Sequence, residues 1–230
     1  SGANLDLDIT LDGNGNLIGA ANDRTLLTGA NLDVDIDLIG ASNVITGDFI
    51  GAGEAGSDDL KISQTGSTNT TALNVGASAA TDDVKILETR VGSSGATSYT
   101  IGNAATVQDV SVTVDVVGDD IDIAISEQST SSGSDKTTDI DIGTDSDDVD
   151  IIITHTGAGA HKTKLLCTGS CAGSDFTMSQ TGVNSTNVDL IVTNATSSDV
   201  DIMVELTDGV PLGDRRCRIR DHFKSVGVAN

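Results

Sequence analysis

A short Asp/Asn/Ser cluster followed by apolar residues at every second position recurs along almost the whole chain. One copy reads Ser57-Asp58-Asp59-Leu60-Lys61-Ile62-Ser63-Gln64-Thr65-Gly66. Earlier copies begin at Asn4-Leu5-Asp6-Leu7-Asp8-Ile9 and Asn31-Leu32-Asp33-Val34-Asp35-Ile36. Later ones include Asp82-Asp83-Val84, Asp109-Val110, Asp119-Asp120-Ile121, Asp147-Asp148-Val149, Asp175-Phe176 and Asp199-Val200. Alternation with period two is the signature of a strand with one buried face, and the polar cluster before it is a turn signal. A unit repeated this often marks a repeat architecture, in which each copy packs on its neighbours.

The spacing predicts strands beginning near Leu5, Leu17, Leu32, Val44, Leu60, Leu73, Val84, Tyr99, Val110, Ile121, Ile140, Val149, Leu165, Phe176, Val188 and Val200. The mean step is about 13 residues, enough for a strand of five or six residues and a turn. Two steps make a coil of about 26 residues, and the repeat holds about eight of them. Such coils stack in parallel as a β-solenoid or fold as an antiparallel sandwich. Tight Asn-Gly or Asp-Gly hairpins favour the sandwich. The turns here are long and Gly/Ser/Thr-rich, as at Gly51–Ser57, Ser93–Ser98 and Gln128–Lys136, and like words recur one coil apart. The reading is therefore an all-β solenoid, roughly 38 Å long at the strand spacing of a sheet. Leu5, Leu7, Ile9 and Leu11 face inward and Asp6, Asp8 and Thr10 outward, with Leu32, Val34, Ile36 and Leu38 set against Asp33, Asp35 and Asp37 in the same way.

Aromatic residues make up 2% of the chain and there are 26 glycines and a single proline, a composition suited to thin layers of Val, Ile, Leu and Ala. The net charge of −23 argues against nucleic acid or an anionic membrane as partner. No stretch approaches 18 consecutive apolar residues, so no membrane span is expected. The pattern starts almost at Ser1, which predicts a secreted chain that has lost a signal peptide.

The repeat body is assigned to residues 1–206 and a basic tail to 207–230. Arg215, Arg216, Arg218, Arg220 and Lys224 give the tail five of the chain's 12 Lys and Arg against three Asp. There, either Asp214 caps a short helix presenting Ile219, Phe223 and Val226, or Cys217 and Ile219 alternate as a strand. Against a strongly acidic body, Arg215, Arg216, Arg218, Ile219, Arg220 and Phe223 are expected to contact a neighbouring subunit or to cap the chain's own last coil.

Ser63-Gln64-Thr65-Gly66-Ser67-Thr68-Asn69 and Ser179-Gln180-Thr181-Gly182 resemble curlin repeats, the units of curli fibre subunits. Gln64, Gly66 and Asn69 match the last three of that family's spaced Ser, Gln, Gly and Asn, and Ser174, Gln180 and Gly182 match the first three. Val75 stands where the family has its closing Gln, and His155-Thr156-Gly157 replaces the Gln word in another copy. The resemblance implies a two-strand coil that assembles into extracellular fibres, with Gln64, Asn69 and Gln180 as its polar motif positions. Similar repeats occur in some marine phage virion proteins, which keeps a virion fibre or decoration protein as the alternative.

Other clusters hold residue types that carry chemistry elsewhere. Gly51-Ala52-Gly53-Glu54-Ala55-Gly56 has the letters of a dinucleotide-binding loop, but a strand rather than a helix follows, so it reads as a glycine turn. Cys167 and Cys171 are spaced for a local disulfide; with His155 and His161 they also hold zinc-ligand chemistry, and free thiols are the third reading. Asp58, Asp59, Asp82, Asp83, Asp147 and Asp148 offer oxygens for Ca²⁺ between coils, while paired Asp before a strand is ordinarily a solvated turn. Asn69, Asn184 and Asn194 begin glycosylation sequons. Few aromatic or basic side chains accompany the carboxylates, so a carbohydrate-active β-helix enzyme is the remote alternative. The expected function is non-enzymatic: a self-assembling structural subunit, extracellular or at the cell surface, with itself as partner.

Overall fold

The computed structural model describes residues 4–19, 25–29, 31–51, 58–75, 84–102, 109–129, 135–144, 146–157, 160–168, 170–181, 186–192, 200–207, 215–220 and 226–229. Among them there are strands and turns and no helix. In chain order the strands are β1 (Asp6–Asp12), β2 (Leu17–Ile18), β3 (Thr25–Gly29), β4 (Asp33–Ile39), β5 (Val44–Gly51), β6 (Asp58–Thr65), β7 (Thr70–Val75), β8 (Val84–Val91), β9 (Gly95–Ile101) and β10 (Val110–Val117). They continue with β11 (Ile121–Ser129), β12 (Asp135–Ile142), β13 (Val149–Gly157), β14 (Ala160–Cys167), β15 (Asp175–Thr181), β16 (Thr186–Val192), β17 (Asp201–Thr207), β18 (Arg215–Arg220) and β19 (Val226–Ala229).

From β4 onward, successive strands alternate between two sheets, and every pairing is parallel. The first sheet runs β1-β4-β6-β8-β10-β12-β14-β16-β18; the second runs β19-β17-β15-β13-β11-β9-β7-β5-β2, with β3 also on β5. This is a β-solenoid. Val84 pairs with Val110 and Val110 with Lys136, a coil of 26 residues each time. Along the main order of the two sheets the step ranges from 24 (Ile202 to Val226) to 29 (Thr186 to Arg215), while β3 stands 22 residues before its partner (Thr25 to Gly47).

The expected eight coils and the separate tail need correction. Among the described residues the first sheet has nine strands, and the ninth, β18, is formed by tail residues in register with Thr186–Ile191. Its backbone is strand, not the capped helix. Phe223 lies outside the described residues. Beyond the expected strands, the sheets also contain β3 and β19.

Alternation sets the two faces as read. Val34, Ile36 and Leu38 are buried, and so are Leu60, Ile62, Val84 and Ile86 in the coils beside them. Each such side chain contributes about 1.5–3 kcal/mol when fully buried, before entropy is subtracted. Leu5, Leu7, Ile9 and Leu11 point the same way but are only half-buried, because β1 has a partner on one side alone among the described residues.

The corners repeat as faithfully as the strands. Gly40, Gly66, Gly92 and Gly118 stack one per coil with φ between +116° and +146°. A Cβ on Gly92 would lie 1.8 Å from the Gly66 carbonyl oxygen, so this rank admits no side chain. Two residues on, Ser42, Thr68, Ser94 and Asp120 take left-handed φ of 54–60°. The Asp/Asn clusters place Asn4, Asn31, Asp109, Asp120 and Asp148 in the same left-handed region, which Asn and Asp tolerate best among residues with a side chain.

Candidate functional site

The inner ranks are not wholly apolar. Two polar layers interrupt them, where inward positions carry ionisable or amide side chains in successive strands.

The first layer lies across β6 to β9. Glu88 and Arg90 both point inward from β8 and are buried. Arg90 Nη2 donates to Glu88 Oε1 at 3.1 Å, to Thr97 Oγ1 at 2.9 Å and to the Ala96 carbonyl at 3.0 Å, while Nη1 donates to the Asn69 carbonyl at 2.7 Å. Tyr99 donates its hydroxyl to Glu88 Oε2 at 2.8 Å, and Thr97 and Thr71 donate to Oε1 at 3.0 and 3.3 Å. Gln64 Nε2 reaches Thr71 Oγ1, and Glu88 Oε1 at 3.3 Å. Burial, then the Glu88 charge and hydrogen bond, hold the Tyr99 phenol well above its ordinary value, so it stays a donor. The guanidinium also explains a corner: a Cβ on Gly95 would sit 2.1 Å from Arg90 Nη1. Asn43 and Asn69 occupy that corner in the preceding coils, where Asn69 Oδ1 accepts the Asn43 backbone N–H at 2.9 Å.

The second layer lies across β11 to β15. Glu127, His155 and Gln180 follow one another in a single inward rank of the second sheet. Lys136 with His161, and Thr138 with Thr163, form two ranks of the first sheet. All seven side chains are buried. Thr138 donates to Glu127 Oε1 at 3.1 Å and lies 3.0 Å from His155 Nε2, which is itself 3.2 Å from Glu127 Oε2. Gln180 Nε2 is 2.7 Å from Thr163 Oγ1 and 3.4 Å from His155 Nδ1. The His155 and His161 rings stand 5.3 Å apart.

Burial pushes the Glu127 carboxyl up to about 8, against the pull of the Thr138 hydrogen bond and the Lys136 charge. Burial likewise brings His155 down to about 3, with the His161 and Lys136 charges acting in the same direction. His161 is lowered by burial, partly offset by the Gly157 carbonyl. At neutral pH this layer therefore holds an uncharged carboxyl beside an uncharged imidazole.

The motif positions Gln64, Asn69 and Gln180 are all buried. Two of them, Gln64 and Gln180, belong to these layers, while Asn69 lends its carbonyl to Arg90. Burial of Asn69 also removes its sequon from the surface; Asn184 and Asn194 lie outside the described residues. Cys167 and Cys171 are bonded as a disulfide, their Cα atoms 6.6 Å apart. Both are buried, and joined to each other their sulfurs are not the thiolates that a zinc site with His155 and His161 needs.

The paired aspartates work in the turns. Asp119 Oδ1 accepts the Asp147 N–H at 2.9 Å, Asp147 Oδ1 accepts the Ala172 N–H at 3.1 Å, and Asp148 is left-handed at φ 56°. Among the described residues no group of three or more His, Cys, Asp or Glu is placed to hold a metal. Asp82, Asp83 and most of the Gly51–Gly56 loop lie outside those residues, as does the Asp58 side chain. Asp59 borders a shallow charged depression with Asp33, Asp35, Lys61 and Lys85 on the outer face of the first sheet.

A parallel β-solenoid with polar layers built into its core is thus the class of protein that the fold defines. No protein-family model, curated protein or solved structure matches the chain.

Proposed function

We propose that the protein is a non-enzymatic structural subunit that joins end to end with copies of itself into a fibre, extracellular or on a cell surface. The observation that carries this reading is the opposite charge at the two ends of two ranks of the first sheet. One rank runs Asp6, Asp33, Asp59, Lys85, Ser111, Thr137, Lys162, Asn187, Arg216. The next runs Asp8, Asp35, Lys61, Leu87, Thr113, Asp139, Lys164, Asp189, Arg218. Each begins acidic on β1 and ends on an arginine of β18. The inward rank between them runs from Leu7 to Cys217, and the inward rank beyond Asp8 and Arg218 runs from Ile9 to Ile219. A second copy placed head to tail would continue the same parallel ladder. Asp6 and Asp8 would meet Arg216 and Arg218 of the adjoining copy, and Ile9 would follow Ile219. Edge strands present unpaired N–H and C=O groups that template such growth, and complementary charge fixes its direction.

The resemblance to curlin repeats supports the same reading and an extracellular setting. The tail then belongs to the growing end rather than to a cap. The test is complementation between two variants. Arg216→Asp with Arg218→Asp, and Asp6→Lys with Asp8→Lys, are each expected to stay folded and unassembled at low salt. Mixed, they are expected to co-assemble into filaments of alternating copies, because one junction restores the pairs with exchanged charges and the other is the wild-type junction. Assembly of either variant alone to the wild-type extent would overturn the proposed junction.

A further inference from the structure

Gln180 on β15 and Thr163 on β14 face each other inside one coil, with Nε2 2.7 Å from Oγ1. Both are buried, so an amide carbonyl carbon and a hydroxyl share a space closed to water. The amide C–N bond is about 1.33 Å, which places that carbon within about 4 Å of the hydroxyl oxygen. Reacting atoms in a near-attack arrangement stand about 3–3.5 Å apart, so a small side-chain torsion bridges the difference. Gln180 Oε1 is buried with no hydrogen-bond partner, so the amide is not held in its present orientation through its carbonyl.

We propose that Thr163 and Gln180 join in an intramolecular ester that the chain forms on itself. Thr163 Oγ1 attacks Gln180 Cδ; the C–O bond forms, the C–N bond breaks, and the amide nitrogen leaves as ammonia carrying the hydroxyl proton. That proton passes to the nitrogen from the adjoining Oγ1 or through His155 Nδ1, which lies 3.4 Å from the same nitrogen. Atoms and electrons balance with no oxidant or further reactant. Burial keeps water from hydrolysing the product. The ester would tie β14 to β15 part-way along the strands. The Cys167–Cys171 disulfide already links the end of β14 to the turn that follows it. The coil would then be closed covalently at two points, which suits a subunit under tension but does not depend on the fibre reading.

The test is mass spectrometry of the denatured, reduced wild-type protein after trypsin. Cleavage follows Lys162 and Lys164, so an unlinked chain releases Thr163-Lys164 as a free dipeptide. A linked chain retains that dipeptide on the peptide from Leu165 to Arg215, at the sum of the two masses less one ammonia. Hydroxylamine, which cleaves esters, is expected to separate them again. Thr163→Val is expected to give the Leu165–Arg215 peptide at its sequence mass. Release of the free dipeptide from wild-type protein, with Gln180 still an amide, overturns the proposal whether or not the variant folds.

Discussion

Arg90 and Glu88 sit two residues apart on one strand and both turn into the core, where Nη2 meets Oε1 at 3.1 Å. Period-two alternation puts them side by side on the inner face, at positions that Gln64 and Ile62 hold in the preceding coil. Taking two charges out of water is costly, and here the cost is offset by a cage of donors and acceptors from Asn69, Thr71, Ala96, Thr97 and Tyr99. Glu88 is stacked between Ile62 and Val114, so the pair fixes which coil lies where through its partners across the coil: a shift of β8 by one coil would take it from Thr71, Thr97 and Tyr99.

Removing one member leaves the other charge buried. Arg90→Met is expected to lower the unfolding free energy by about 3–5 kcal/mol. Adding Glu88→Gln to that variant is expected to recover part of the loss, since the orphaned charge is gone. Urea denaturation of the single and double variants measures both effects. A loss under about 1 kcal/mol for Arg90→Met would mean the layer is solvated rather than closed.

The glycine corner yields a contrast. Gly92→Ala forces a Cβ to 1.8 Å from the Gly66 oxygen at φ +145°, so the backbone of stacked corners must part. Gly15→Ala, at φ +71° with nothing within 4 Å, meets only the intrinsic cost of the left-handed region. Thermal unfolding is expected to show about 1 kcal/mol for the second and several times that for the first. Equal effects would contradict the close stacking of the corners.

Acidity should act on the second layer from both sides. Glu127 has its pKa raised to about 8 from an ordinary 4.5, so its share of stability is full below pH 4.5 and is lost as pH rises towards 8. His155 is depressed to about 3 from 6.5, so its share is full above pH 6.5 and is lost as pH falls towards 3. Between pH 4.5 and 6.5 the two slopes oppose each other and nearly cancel. The contribution of the pair is then a plateau that falls by up to about 1.4 kcal/mol per pH unit on either side. Comparing wild type with Glu127→Gln by denaturant midpoint across pH isolates the alkaline limb. That limb is expected to vanish in the variant, and its persistence would assign it elsewhere.

Much of the fold was legible because its strands declare themselves by alternation. Val44, Val84, Val110, Ile121 and Val149 begin strands where the sequence reading places them. Four strands start three to five residues earlier than the apolar residues suggest: β7 before Leu73, β9 before Tyr99, β12 before Ile140 and β14 before Leu165. In each, the first inward positions are small or polar: Thr71, Gly95 and Thr97, Lys136 and Thr138, His161 and Thr163. A search for apolar alternation passes over them, although they are buried. Those gaps are the polar layers, so the register of the repeat, carried through the gaps, was the signal that would have found them. Of the two readings of the tail, helix or strand, the strand is the one found: four arginines in six residues read as a basic segment by composition, while the register continues the rank of Leu165 and Leu190 to Ile219.

Electron microscopy of the purified full chain at low ionic strength tests the head-to-tail account most directly. Nine strands at the spacing of a sheet give a subunit repeat of roughly 43 Å. The account predicts unbranched filaments with that axial rise and strands perpendicular to the filament axis, dissolving as salt screens the Asp–Arg junction. Discrete single particles at every concentration, or filaments whose subunits meet through their outer faces, would contradict it.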